Sequence, residues 1–208
     1  MSNSMHYAIS HDYRDFQYLT MTPRKKSIKH MLLKVEQGLT LLKLGKTEYA
    51  IEAGQAVWVP FDALCALTFF PQTQVQQIEV SSRVTSFLPK QGGFVTLNEL
   101  TNALLNRLKV MEDRHDAKKN LLTVLQEELS SFKPQLKESK LTQQINQWAP
   151  NIDSKLLAEQ QLVLNVREAY KRMQSGQSRR QVVAELFEGN EAMYSQIEKT
   201  IRGEKQKT

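Results

Sequence analysis

Histidine occurs four times in the 208 residues, as His6, His11, His30 and His115, and cysteine once, as Cys65. A mononuclear metal site built on imidazoles needs two or three such ligands on neighbouring elements. None of the four lies between Met31 and Leu97, where the strand-like runs of this sequence are concentrated. His6 and His11 stand five apart in what reads as an N-terminal arm, and His30 reads as the beginning of a strand. Cys65 sits inside the apolar run ALCALTFF with no base beside it, so a buried free thiol is expected rather than a nucleophile. A lone cysteine also excludes a disulfide framework and fits a reducing compartment. With no Ser-His-Asp, Cys-His or paired-carboxylate arrangement in view, the chain is expected to be no enzyme and to hold no metal or cofactor.

The remaining chemistry is that of binding polyanions. Net charge is +6, which favours nucleic acid among partners. The excess sits at the two ends, with eleven Lys/Arg against eight Asp/Glu over residues 139–208. There the stretch SRRQVVAELFEGNEAMYSQIEKTIRGEK, residues 178–205, opens with a hydroxyl and two arginines. Two short amphipathic segments follow, separated by Glu188-Gly189-Asn190. Ser178 with Gln181 has the spacing of a capping box, and Gly176 is placed to end the preceding helix. Val183, Phe187, Tyr194, Ile197 and Ile201 recur at spacings that close a three-helix core, and Ala184 is small where a crossing helix would come close. That leaves Glu191, Ala192, Ser195, Gln196 and Lys199 on the open face of the last helix, with Arg202 extending its basic side. Arg179 and Arg180, at a helix start, suit phosphate.

Two kinds of element must position these residues. Up to Leu97 the runs KHMLLKVEQG, LTLLKLG, KTEYAIEAG, AVWVPF, ALCALTFF and VQQIEV alternate with Gly- and Pro-containing turns, as in a small antiparallel sandwich or barrel. From Thr96 the period becomes helical. Thr96 with Glu99 reads as a capping box, and Leu97, Leu100, Leu104, Leu108 and Met111 mark a first helix. Leu121, Leu122, Leu125 and Leu129 mark a second, ended at Phe132-Lys133-Pro134. Helical segments follow around residues 141–148, 156–173, 178–187 and 191–202.

These patterns resemble AraC-type transcriptional regulators in two places. KLGKTEYAIEAGQAVWVPFDALCALTFF is similar to their N-terminal cupin-like sensor: strand, Gly45-Lys46 turn, strand, Ala53-Gly54-Gln55, and a strand ending in Pro60. VREAYKRMQSGQSRRQVVAELFEGNEAMYSQIEK, from Val166, is similar to their second helix-turn-helix through Arg167, Ala169, Met173, Gly176, Ser178, Val182, Ala184, Glu185, Leu186, Tyr194, Ser195, Ile197 and Lys199. This chain departs from the family pattern where Phe187 stands for the turn glycine, Glu188 and Glu198 for aromatics, and Gln196 for a basic residue. Only 70 residues follow Glu138, which suits one intact helix-turn-helix unit and part of another.

The resemblance implies an α+β chain: a metal-free cupin-like barrel over residues 1–95, a linker helix pair over 96–135 and a helix-turn-helix region over 136–208. It implies a cytoplasmic bacterial regulator that binds double-stranded DNA as a homodimer through Ser178, Arg179, Arg180, Glu191, Ala192, Ser195, Gln196, Lys199 and Arg202. Leu100, Leu104, Leu108 and Met111 form the expected dimer stripe. Tyr49, Trp58, Phe61, Phe69 and Glu79 are the expected lining of a small-effector pocket, with core filling as their plainer role. Two other readings stand beside it: a protein-interaction module that binds another regulator without reading DNA, and a ligand-binding cupin whose helices are structural. The basic face of Arg167, Lys171, Arg172, Arg179, Arg180, Lys199 and Arg202 separates them. A contiguous face favours DNA, whereas interruption by Glu188, Glu191 and Glu198 favours the interaction module. No run is long and apolar enough for a membrane span.

Overall fold

A computed structural model describes residues 8–84, 87–111 and 115–203. His6 lies outside the described residues, as do the side chain of His115 and the last five residues. Among the described residues ten strands precede six helices, an α+β arrangement in the order expected. The strands are β1 (Ile9–Phe16), β2 (Thr20–Met21), β3 (Lys25–Lys26), β4 (Lys29–Gln37), β5 (Leu39–Leu44), β6 (Thr47–Glu52), β7 (Ala56–Val59), β8 (Leu64–Phe69), β9 (Thr73–Ser81) and β10 (Gly93–Val95). The helices are α1 (Glu99–Lys109), α2 (His115–Leu129), α3 (Lys140–Gln147), α4 (Ala158–Gln174), α5 (Arg179–Leu186) and α6 (Glu191–Arg202). No helix among the described residues is long and apolar enough to cross a membrane.

The strands form two antiparallel sheets, ordered β1-β9-β4-β7-β10 and β2-β8-β5-β6, with β3 also pairing β8. Between them lies an apolar interior of Met31, Leu33, Val35, Leu42, Ile51, Val57, Val59, Leu67, Phe69 and Val75. The opposite face of the first sheet, through Leu32, Trp58, Ile78 and Val80, packs on Leu104, Leu105 and Leu108 of α1 and Leu122, Leu125 and Leu129 of α2. The opposite face of the second sheet, through Leu39, Leu41 and Ala50, packs on α3 to α6. The central strands of both sheets are therefore covered on both faces. Unbroken apolar runs such as AVWV and LTLL follow from this, since a strand buried on both sides has no polar face to alternate with.

Two local expectations are corrected. The α1 cap is Asn98, whose side chain accepts the Thr101 N–H; Thr96 lies two residues too early. Ala184 is exposed on α5 rather than squeezed beneath a crossing helix.

The helical region is joined to the barrel by polar contacts at the free edge of β6. Asn146 of α3 donates to the Glu48 carbonyl at 2.8 Å and accepts the Glu48 N–H at 2.9 Å. Thr142 accepts the Ala50 N–H at 3.0 Å. Side chains of a helix thus satisfy an edge that would otherwise offer open backbone to a neighbour. One turn of α4 adds Arg167, only 5% exposed, in a bidentate pair with Glu48 at 2.8 and 3.0 Å. At the far end the Leu19 N–H donates to the Ile201 carbonyl at 2.7 Å, closing α6 onto the barrel.

Candidate nucleic-acid interface

The C-terminal unit follows from short-range signals. Gly176 adopts φ +98 just past the end of α4, a conformation that costs glycine little. The Ser178 hydroxyl caps α5 by accepting the Gln181 N–H at 3.2 Å. The Gln181 side chain turns to Glu185 instead of back to Ser178, so the cap is one-sided. Glu188 at φ +52 and Gly189 at φ +77 make the turn, and the Gly189 N–H closes on the Val183 carbonyl at 3.0 Å. The glycine missing at position 187 is therefore replaced by a turn placed two residues later. Asn190 caps α6 through the Met193 N–H at 3.0 Å. Val182, Val183, Leu186, Phe187, Tyr194 and Ile201 close the core against Val163, Leu164, Val166 and Ala169 of α4. Ile197 packs at its margin.

This build leaves Glu191, Ala192, Ser195, Gln196 and Lys199 exposed on α6. Two helices joined by a short turn, with one face of the second left open, are present.

The charges are arranged differently from the expectation. Arg179 does not point outward to a phosphate. Its guanidinium donates to Glu191 at 2.5 Å, to Glu198 at 2.6 Å and to Ser195 at 3.0 Å, and it lies 4.6 Å over the Tyr194 ring. The clasp ties the start of α5 to the length of α6. Arg202 pairs with the other Glu198 oxygen at 3.1 Å and stacks on Tyr170 at 3.7 Å. Arg172 is held by Glu168 and Glu185, both at 2.8 Å, and Arg167 is buried against Glu48. Of the seven basic residues singled out, these four are committed to carboxylates, and Glu191 and Glu198 do interrupt the face. Arg180 is exposed, with no ion pair among the described residues. Lys171 and Lys199 are exposed as well. Beneath the clasp, burial and then the Glu198 charge push the Tyr194 phenol up to about 12.

The structure does not bring the five expected pocket residues together. Trp58 is fully buried, donates its indole N–H to the Pro89 carbonyl at 2.9 Å, and meets Phe132 edge-on. Phe69 stacks on Phe16 at 3.9 Å inside the barrel. Tyr49 is buried on β6, Phe61 is exposed on a turn, and Glu79 pairs with Lys29 at 2.7 Å. A cleft of about 800 Å³ lies elsewhere, between Gly54–Ala56, Phe94–Asn98 and the connection from α2 to α3, with Lys133 and Lys137 at its rim. Its lining includes a backbone bridge in which Phe94 and Gln135 exchange hydrogen bonds at 2.8 and 3.0 Å. Gly93 is required there, because a Cβ would stand 2.6 Å from the Gln135 backbone.

The dimer stripe is corrected in part. Leu104 and Leu108 are buried in the α1–α2 contact with the first sheet and offer no surface to a second chain. Leu100 is exposed and Met111 half-buried. His11 is buried and donates from Nε2 to Gln76 at 2.8 Å. Among the described residues, no group of three His, Cys, Asp or Glu side chains is placed to hold a metal ion.

Sequence reasoning placed Arg167 on a basic face and missed its pairing with Glu48, 119 residues away, together with the roles of Thr142 and Asn146. An arginine in the middle of the apolar stripe Val163, Leu164, Val166 and Ala169 was the one available sign that α4 buries a charge.

No family model matches the chain, and no curated protein matches it. Among solved structures, ToxT from Vibrio cholerae aligns over 95% of this chain and 96% of its own, at 8% identity and a TM-score of 0.42. An apo lysine-to-alanine variant of ToxT aligns over 96% and 95%, at 9% identity and a TM-score of 0.45. A cupin superfamily protein from Desulfitobacterium hafniense covers 39% of this chain and 75% of its own, at 12% identity and a TM-score of 0.35.

Proposed function

We propose that the chain is a bacterial transcriptional regulator of AraC-like build that engages double-stranded DNA through α5 and α6. The observation that carries this reading is the face of α6 bearing Ala192, Ser195, Gln196 and Lys199, which stays exposed while the opposite face and the end of the helix pack on α4 and the barrel. A recognition helix reads base edges mainly with its N-terminal half, the half that stands away from the barrel contact at Ile201. Gln196 suits a bidentate contact to adenine, and Ser195 and Lys199 suit neighbouring base edges. Arg180 and the first-turn N–H groups of α5 suit phosphate. Arg179 is assigned a different role from its neighbour: it positions α5 against α6 through Glu191 and Glu198. One unit makes few phosphate contacts, so the reading requires a homodimer. A small effector, if the protein takes one, would sit in the cleft beside β10 and α1 rather than inside the filled barrel. The reading assigns the chain no catalytic step and places it in the cytoplasm.

The Arg179 clasp favours a second reading, in which the same unit binds another regulator. Carboxylates beside the groove oppose phosphate, and four of the seven cations are already neutralised.

Sequencing of fragments that the purified full chain retains from sheared genomic DNA separates the two. A shared sequence among retained fragments supports the first reading. Retention without any shared sequence, or none, supports the second.

A further inference from the structure

One end of the barrel presents three apolar side chains on a rigid mount inside a basic rim. Ile28 is 75% exposed, and Phe61 and Leu64 are each 46% exposed. They are neighbours by pairing: Lys26 is opposite Leu64 in the β3–β8 register, and the Ser27 N–H donates to the Ala63 carbonyl at 2.9 Å. The turn that carries Phe61 is fixed at three points. The Phe61 N–H donates to Nδ1 of His30 at 3.1 Å, the Asp62 N–H to the Ser27 carbonyl at 2.8 Å, and Lys26 pairs with Asp62 at 3.0 Å. Asp62 holds φ +63, a conformation its short polar side chain tolerates better than most. An exposed aromatic on such a turn loses little freedom when it is covered.

The surroundings are mainly basic. The three segments that meet here, residues 22–30, 43–47 and 60–66, contain six Lys/Arg and a single acid, Asp62. Arg24 reaches across to the Gly45 carbonyl at 3.0 Å, which brings the Gly45-Lys46 turn into the same rim. Arg24, Lys25, Lys26 and Lys46 are all exposed.

We infer that this barrel end is a docking surface for an acidic peptide segment of a second protein, one that carries apolar side chains between its carboxylates. Ile28, Phe61 and Leu64 take the apolar side chains, and Arg24, Lys25 and Lys46 face the carboxylates. The apolar centre favours a peptide over nucleic acid, whose backbone would use the cations and leave three hydrophobic side chains without a role. Three short side chains are also far from the amphipathic helix with which peripheral proteins enter a lipid surface. The surface belongs to the barrel alone and is independent of whether α6 reads DNA.

The test uses the full chain and fluorescein-labelled synthetic peptides of equal length in an anisotropy titration. One peptide alternates Asp or Glu with Leu or Phe, and one replaces Leu and Phe by Ser. The first is expected to bind with an affinity that falls as salt rises, and the second to bind about tenfold more weakly or worse. Phe61→Ser with Leu64→Ser, and separately Arg24→Glu with Lys25→Glu, are each expected to lower affinity for the first peptide by about tenfold or more. All four positions are exposed, and an unchanged melting temperature checks the fold. Equal binding of both peptides, or indifference to either pair of substitutions, overturns the inference. So does binding of duplex DNA or of phosphatidylglycerol vesicles that falls equally with both pairs, or a change of sedimentation showing that Phe61 and Leu64 join two copies of this chain.

Discussion

Arg179 and Arg180 are adjacent, yet their removal is expected to have different consequences. Arg179 spans α5 and α6 with three hydrogen bonds, and its loss leaves Glu198, only partly accessible, without one of its partners. Arg179→Ala is therefore expected to lower the stability of the unit by about 1.5–3 kcal/mol, the range for hydrogen bonds to charged groups. Urea unfolding measures it. Arg180→Ala is expected to leave stability unchanged while weakening binding to all DNA sequences alike and reducing the salt slope by about one. If the two variants behave alike, the positioning role of Arg179 is wrong. His11 gives a residue-scale prediction for pH. Burial pushes its imidazole below the ordinary 6.5, helped by the charge of Lys118 and opposed by its bond to Gln76. The folded state thus takes up a proton less readily than the unfolded chain. The resulting stabilisation is full above about pH 6.5 and is lost as the pH falls below it. Melting temperature measured downward from neutral pH is expected to fall less steeply in His11→Asn than in the wild type.

At the scale of elements, α1 and α3 have roles set by what they cover. Leu104 is packed under α2 and against the first sheet, so Leu104→Ala is expected to cost about 2–5 kcal/mol of stability through lost packing. Denaturant titration reads that loss. Dissociation of a dimer with unchanged unfolding would show that the helix faces a second chain after all. Across the molecule, Arg167→Ala strands Glu48 at the contact between α4 and β6. A loss of about 3–5 kcal/mol is expected for a broken buried pair, whereas Glu48→Gln with Arg167→Met is expected to recover part of it. These elements also mark the limit of what local pattern conveys. The strands from Lys29 to Ser81 and all six helices were legible, because turn glycines, prolines and the change from strand to helical period are local signals. The stripe Leu100, Leu104, Leu108 and Met111 showed that α1 has a buried face, but its sequence is equally compatible with a sheet or a second chain as the cover. β1 was ambiguous since DYRD is exposed and polar; its order comes from pairing along the length of β9. β2, β3 and β10 are too short to carry a period. In the candidate site, caps and core were legible from short spacings, whereas the fate of each arginine was not. Arg167 meets an acid 119 residues away, and Arg179 selects Glu191 and Glu198 only once the turn at Glu188-Gly189 sets the crossing of the helices.

At the scale of the whole molecule, a double antiparallel sheet lies between two helical layers, and the second layer ends in α6. That arrangement makes the barrel the platform from which α6 is presented. The pair Arg167–Glu48, the β6 edge contacts and the Leu19–Ile201 bond hold it there. The proposed reading calls for two copies to present two such helices, and Leu100 of α1 is exposed. The decisive measurement is sequence enrichment from a random duplex pool by the full chain, run in parallel with Gln196→Ala. The wild type is expected to enrich two half-sites about one helical turn, roughly 34–36 Å, apart. Gln196→Ala is expected to relax one base pair in each half-site, by about 1–3 kcal/mol of discrimination. Enrichment of no sequence, or of the same sequence with equal strength by both proteins, would contradict DNA reading by α6 and leave the protein-interaction module in its place.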